Sequence, residues 1–154
     1  MTVKVGRKIP AFELPATGDQ TISNEDLAGR AWVLYFYPRD NTPGCTTEGE
    51  DFRDNYAKFR RRKVTVLGVS RDSLRSHERF KAKYDFPFEL LSDENEELCT
   101  IFDVIKQKNM YGKKVRGIER STFLVDASGK LRREWRKVKI DGHVAEVLEA
   151  VKEL

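Results

Sequence analysis

Two nearly continuous apolar or β-branched runs, residues 31–37 and 64–70, constrain the fold of this chain more than any other feature. Strands that alternate apolar and polar residues cover one face, whereas unbroken runs are expected where both faces of a sheet are covered. Between them Phe52, Tyr56 and Phe59 recur at i, i+4 and i+7, the stripe of a helix packed on that sheet.

The alternation continues downstream. Asp72 or Ser73 can cap a helix running towards Tyr84, with Leu74, Phe80 and Tyr84 inward and Pro87 as its stop. Residues 88–91 read as a short strand, and Asp93 starts a short helix containing Leu98, Cys99, Ile101 and Phe102. Residues 121–125 and 131–135 flank Ala127-Ser128-Gly129 as a hairpin. Val144, Val147, Leu148, Val151 and Leu154 mark one face of a final helix. At the other end, residues 12–14 and the polar turn after them suggest a short N-terminal hairpin, and residues 23–27 a brief helix. Strands alternating with helices give an α/β fold. At 154 residues, with no linker or internal repeat, the expected organisation is a single domain over 1–154.

Charge and cysteine usage narrow the function classes. The net charge of +4 and the tract Arg60-Arg61-Arg62-Lys63 invite a nucleic-acid reading. The tract follows an amphipathic helix, where cations complement the negative dipole end, and no basic face with interleaved aromatics accompanies it. No nucleic-acid partner is therefore expected. No apolar run approaches the ~20 residues that span a bilayer, and the N-terminus lacks the apolar core of a signal peptide, so the expected compartment is the cytoplasm, with no membrane partner. Two cysteines are too few for a disulfide scaffold and are not spaced as metal ligands, so no metal or other cofactor is expected. His77 and His143 read as helix-surface residues, and Tyr37 and Trp135 as core or rim aromatics.

One of those cysteines stands in a chemically exposed place. In Tyr37-Pro38-Arg39-Asp40-Asn41-Thr42-Pro43-Gly44-Cys45-Thr46-Thr47 a strand ends at proline, a polar turn follows, and an amphipathic stretch begins directly after Cys45. Unpaired N–H groups in a helix's first turn and the positive end of its dipole favour a thiolate over a thiol. Cys45 is a candidate nucleophile; the alternative is a small buried hydrophobe.

The spacing Pro38, Thr42, Cys45, P-x-x-x-T-x-x-C, resembles the active-site motif of the peroxiredoxins, thiol peroxidases on the thioredoxin fold. The segment YFYPRDNTPGCTTE and Arg120 in GIERSTFLVDASGK resemble the bacterioferritin comigratory protein, or peroxiredoxin Q, branch. The resemblance implies a thioredoxin-like fold, with a central mixed β-sheet flanked by helices and an N-terminal β-hairpin extension. It also implies reduction of hydrogen peroxide, and possibly of organic hydroperoxides, by Cys45 through a sulfenic acid.

Residue by residue, Arg120 is placed beside Cys45 as the cation facing thiolate and peroxide, and Thr42 as a hydrogen-bond partner of a peroxide oxygen. Backbone N–H groups of Gly44 and Cys45 can point at bound oxygen, and Pro38 shields the pocket. Glu48 orients the arginine. On local grounds alone Thr42 reads better as an N-cap before proline, Pro38 and Gly44 are turn residues, Arg120 is a surface charge, and Glu48 is a first-turn acid.

The chain departs from the branch in its second cysteine. The usual resolving positions correspond to Glu50 and Lys81. Cys99 remains, either as a small core residue or as a resolving cysteine reached by local unfolding. The expectation is a one-cysteine cycle completed by thioredoxin, glutaredoxin or a small thiol, in a monomer. A disulfide oxidoreductase is disfavoured because position 48 is Glu rather than Cys. A non-catalytic binding or chaperone module stays open at this point.

Overall fold

A computed structural model describes residues 2–154. The two apolar runs become β3 (Trp32–Phe36) and β4 (Thr65–Ser70), paired in parallel at the centre of the molecule. All five residues of β3 are buried, as a strand covered on both faces requires. Around this pair a seven-stranded mixed sheet forms in the order β2-β1-β5-β4-β3-β8-β9. It includes the hairpin β1 (Glu13–Ala16) with β2 (Gln20–Ser23), β5 (Glu89–Ser92), and the antiparallel pair β8 (Ser121–Val125) and β9 (Leu131–Trp135). β6 (Ile105–Met110) and β7 (Lys113–Ile118) form a separate two-stranded sheet.

The sheet divides the core in two, because successive side chains along β3 point to opposite faces. Trp32, Leu34 and Phe36 join Phe102, Phe123 and Cys99 on one side; Val33, Tyr35 and Tyr37 join Phe52, Phe80, Val147 and Cys45 on the other. The second side is covered by α1 (Pro43–Asp54), α2 (Tyr56–Arg61), α3 (Leu74–Tyr84) and α5 (His143–Lys152), and the first by the short α4 (Glu97–Ile101).

Several expectations need correction. Residues 24–29 make successive turns, not a helix: N–H to C=O bonds run three residues back at Asp26, Leu27 and Ala28, and Gly29 at φ +87° ends the run. The stripe Phe52, Tyr56, Phe59 spans two helices, broken at Asn55, whose side-chain amide donates to Asp51 O at 2.8 Å. Ser73, not Asp72, caps α3, and Asp85 at φ 53° ends it before Pro87 can. His77 and His143 are not surface residues; both are buried, His77 completely. Leu154 lies beyond α5 and is half exposed. The tract at 60–63 does occupy the last turn and exit of α2.

Candidate active site

Cys45 sits in the first turn of α1, after Thr42 at the N-cap position and Pro43 at the first helical position. Proline suits that position because its missing N–H would have had no intrahelical partner. The Thr42 hydroxyl does not cap the helix. It donates to Arg39 O at 2.9 Å, while Thr42 O accepts from Thr46 N. Its proton is thus committed inside the loop, and its oxygen is left as an acceptor.

Arg120 reaches this turn from the connection between β7 and β8, 75 residues away in sequence. Nη2 donates to Cys45 Sγ at 3.4 Å, and Nη1 donates to Glu48 Oε1 at 2.6 Å. One planar fork therefore spans the thiol and a carboxylate one turn further along α1. Val138 N donates to Arg120 O at 3.0 Å, which fixes the backbone from which the fork is presented.

Cys45 is only 2% exposed, yet its neighbours on the solvent side, Pro38, Thr42 and Gly44, are half-buried. Gly44 is crowded. A Cβ there would lie 3.3 Å from both Arg120 Nη2 and Ile140 Cδ1, so the absence of a side chain lets the arginine and Ile140 close over the turn.

Glu48 is fully buried, and burial pushes its carboxyl up to about 7 despite the lowering effect of Arg120. Its second oxygen has no hydrogen-bond partner. Arg120 itself is held above its ordinary value; burial acts to lower it, and the charges of Glu48 and Cys45 more than offset that.

The structure thus brings together Pro38, Thr42, Gly44, Cys45, Glu48 and Arg120. It does not bring Cys99 to them. Cys99 lies across the sheet, its N–H bonded to Asp93 at 2.7 Å and its thiol pushed far up, chiefly by burial and then by Asp93. Both cysteines are free.

Residues 5–134 match the AhpC/TSA family. The chain belongs to this family. It is 48% identical over 154 residues to peroxiredoxin Bcp of Bacillus subtilis, covering 100% of this chain and 98% of that protein. It is 53% identical over 150 residues to peroxiredoxin Bcp of Xanthomonas campestris, covering 94% and 93%. A solved structure of the Xanthomonas campestris bacterioferritin comigratory protein superposes with a TM-score of 0.91 at 48% identity, covering 97% of this chain and 98% of that one. The fold is thioredoxin-like, and this peroxiredoxin is a thiol-dependent peroxidase of the Bcp and peroxiredoxin Q branch.

Near the loop of this peroxiredoxin, sequence reading leaves a second group unassigned. Asp40, Asp72 and His77 place ligand-type atoms within 4.8 Å of one another. The oxygens turned towards this group are already engaged: Asp72 Oδ2 accepts from Asp40 N and Ser70 Oγ, and Asp40 Oδ2 accepts from Ser76 Oγ and faces His77 Nδ1. The cluster is therefore satisfied by protein groups without an ion. His143, the other buried histidine, faces Thr122 Oγ1 at 2.8 Å, and burial lowers it to about 4. Among the described residues no helix is long and apolar enough to cross a membrane.

Proposed function

We propose that Cys45 is the peroxidatic nucleophile for hydrogen peroxide and organic hydroperoxides. The observation that carries this reading is the Arg120 fork, which places a cation at hydrogen-bond distance from the sulfur and holds it there through Glu48. The thiolate attacks one peroxide oxygen, an S–O bond forms as the O–O bond breaks, and the departing oxygen takes a proton to leave as water or alcohol. Negative charge builds on that oxygen in the transition state, where Arg120 and the N–H groups of Gly44 and Cys45 oppose it. Thr42, with its proton given to Arg39 O, accepts from the peroxide O–H, and Pro38 walls off the turn. The Xanthomonas relative, whose structure is described in terms of alkyl peroxide reduction, supports including organic hydroperoxides.

A one-cysteine cycle follows. A disulfide needs Cα atoms within ~7 Å, and Cys99 is separated from Cys45 by the central sheet. The position of one familiar resolving cysteine holds Lys81, ion-paired to Glu89, which also accepts from Thr17 Oγ1; the other holds Glu50. The sulfenic acid is attacked by an external thiol, which releases water and leaves a mixed disulfide, and a second thiol frees Cys45. Thioredoxin, glutaredoxin or a small thiol fills this role, in a cytoplasmic monomer organised as one domain over 1–154. Mass spectrometry after one equivalent of peroxide tests the cycle. One added oxygen on Cys45 is expected; a reducible Cys45–Cys99 bond as the main product would overturn it.

A further inference from the structure

Asp40 lies midway between Pro38 and Thr42 in the loop that approaches Cys45, and it is buried. A carboxylate removed from water at this point requires partners, and it has three side-chain ones. Tyr37 Oη donates to Asp40 Oδ1 at 2.6 Å, Ser76 Oγ donates to Oδ2 at 2.7 Å, and His77 Nδ1 stands 2.7 Å from the same Oδ2. The backbone of Asp40 is held as well, its N–H donating to Asp72 Oδ2 at 2.9 Å. The next residue, Asn41, has φ 59° and accepts from Tyr84 Oη at 3.1 Å. Ser76, His77 and Tyr84 all belong to α3, so this one helix grips the loop at two successive residues.

Hydrogen bonds account for every polar side-chain atom of the pair. His77 Nε2 faces Leu91 O at 2.8 Å, and a carbonyl oxygen only accepts, so Nε2 carries a proton. Nδ1 faces Asp40 Oδ2 at 2.7 Å, and one proton is shared between them, while the carboxyl also accepts from Tyr37 and Ser76. His77 is fully buried, and both its ring nitrogens are engaged, Nδ1 by Asp40 and Nε2 by Leu91 O. Tyr37 remains a neutral donor, its hydroxyl held well above its ordinary range by burial and then by the charge of Asp40. Removing one partner leaves a buried polar group of the other without its hydrogen bond.

We propose that His77 is a positioning residue for peroxide reduction, acting through Asp40 to hold Pro38 and Thr42 in register with Cys45. This rests on the reading of Cys45, Thr42 and Pro38 as the peroxide site. His77 touches no substrate. It fixes the loop to α3 and to β5, so the Thr42 oxygen and the proline wall keep their distance from the sulfur while peroxide is attacked. Misplacement by about 1 Å of groups around a reacting atom costs on the order of 100-fold in rate. Capture of the sulfur by a reagent that needs neither Thr42 nor Pro38 should be far less sensitive.

The test compares two second-order rate constants on the same protein, for hydrogen peroxide and for iodoacetamide. His77→Ala is expected to lower the peroxide constant roughly 10- to 100-fold and the alkylation constant less than about threefold. Tyr37→Phe removes one oxygen from a buried ring and keeps the fold if His77→Ala does not; it is expected to lower the peroxide constant about 3- to 10-fold with the same selectivity. A folded variant with the wild-type peroxide constant, or equal losses with both reagents, overturns the proposal. Peroxide consumption that survives Cys45→Ser would instead remove the site reading beneath it, and the proposal with it, and is distinguishable because it appears without any change at position 77.

Discussion

Cys45 and Cys99 lie on opposite faces of the seven-stranded sheet, each in its own half of the core. The buried thiol of Cys99 is pushed far up by burial and then by Asp93, which makes it a poor nucleophile. Cys99→Ser should keep peroxide turnover within about twofold of wild type when an external thiol is supplied, since no step of the proposed cycle uses that sulfur. Brief treatment of the native protein with iodoacetamide should label Cys45 and leave Cys99 unmodified, read by peptide mass mapping.

In the proposed mechanism Arg120 serves both the sulfur and the departing oxygen, so its removal should separate two chemistries. Arg120→Ala is expected to lower the peroxide rate constant about 100-fold and alkylation by a neutral reagent less than about tenfold. Equal losses measured by stopped flow would confine the guanidinium to stabilising the thiolate.

Glu48 has a pH signature. Its carboxyl holds its proton in the folded protein up to about 7, against an ordinary value of 4.5 in the unfolded chain. Between those values the folded state binds more protons than the unfolded one, so this group's contribution to stability falls as pH rises. The loss begins near pH 4.5 and is complete above about pH 7. Denaturant unfolding of wild type and Glu48→Gln across this window should show wild type losing about 3 kcal/mol relative to the variant. A constant difference would mean that Arg120 keeps Glu48 ionised throughout.

Gly49 follows Glu48 on α1, and a Cβ there would meet the Phe86 ring, with Cε1 at 2.9 Å. That ring is wedged among Phe80, Tyr84 and Phe88, with centroids 5.0, 6.0 and 5.2 Å away, so it has little room to retreat. Gly49→Ala should destabilise the fold by about 3 kcal/mol through overpacking, although alanine favours helix more than glycine does. Thermal unfolding checks the sign.

What the chain discloses before folding depends on whether a residue's partner is local. β3 and β4 were legible because unbroken apolar runs have few other uses, and Pro38, Thr42, Gly44 and Cys45 because they share one short stretch of sequence. The break at Asn55 was not, since Phe52, Tyr56 and Phe59 keep a helical spacing straight through it. β6 and β7 carry Lys106, Lys108, Lys113, Lys114 and Arg116 and bury almost nothing, so no alternation marked them. His77 lies three residues before Phe80 on the inward face of α3, but a polar residue is invisible to an apolar stripe. Its partner Asp40 is 37 positions away. Arg120 and Glu48 stood out only through resemblance, because their ion pair closes a separation of 72 residues.

Peroxide consumption by wild type and Cys45→Ser, followed with excess external thiol, tests the central claim most directly. The account predicts rapid consumption by wild type and only the uncatalysed background with Cys45→Ser, while the circular dichroism of the two proteins coincides. Turnover that persists in a folded Cys45→Ser protein would place the chemistry at another atom and contradict the account.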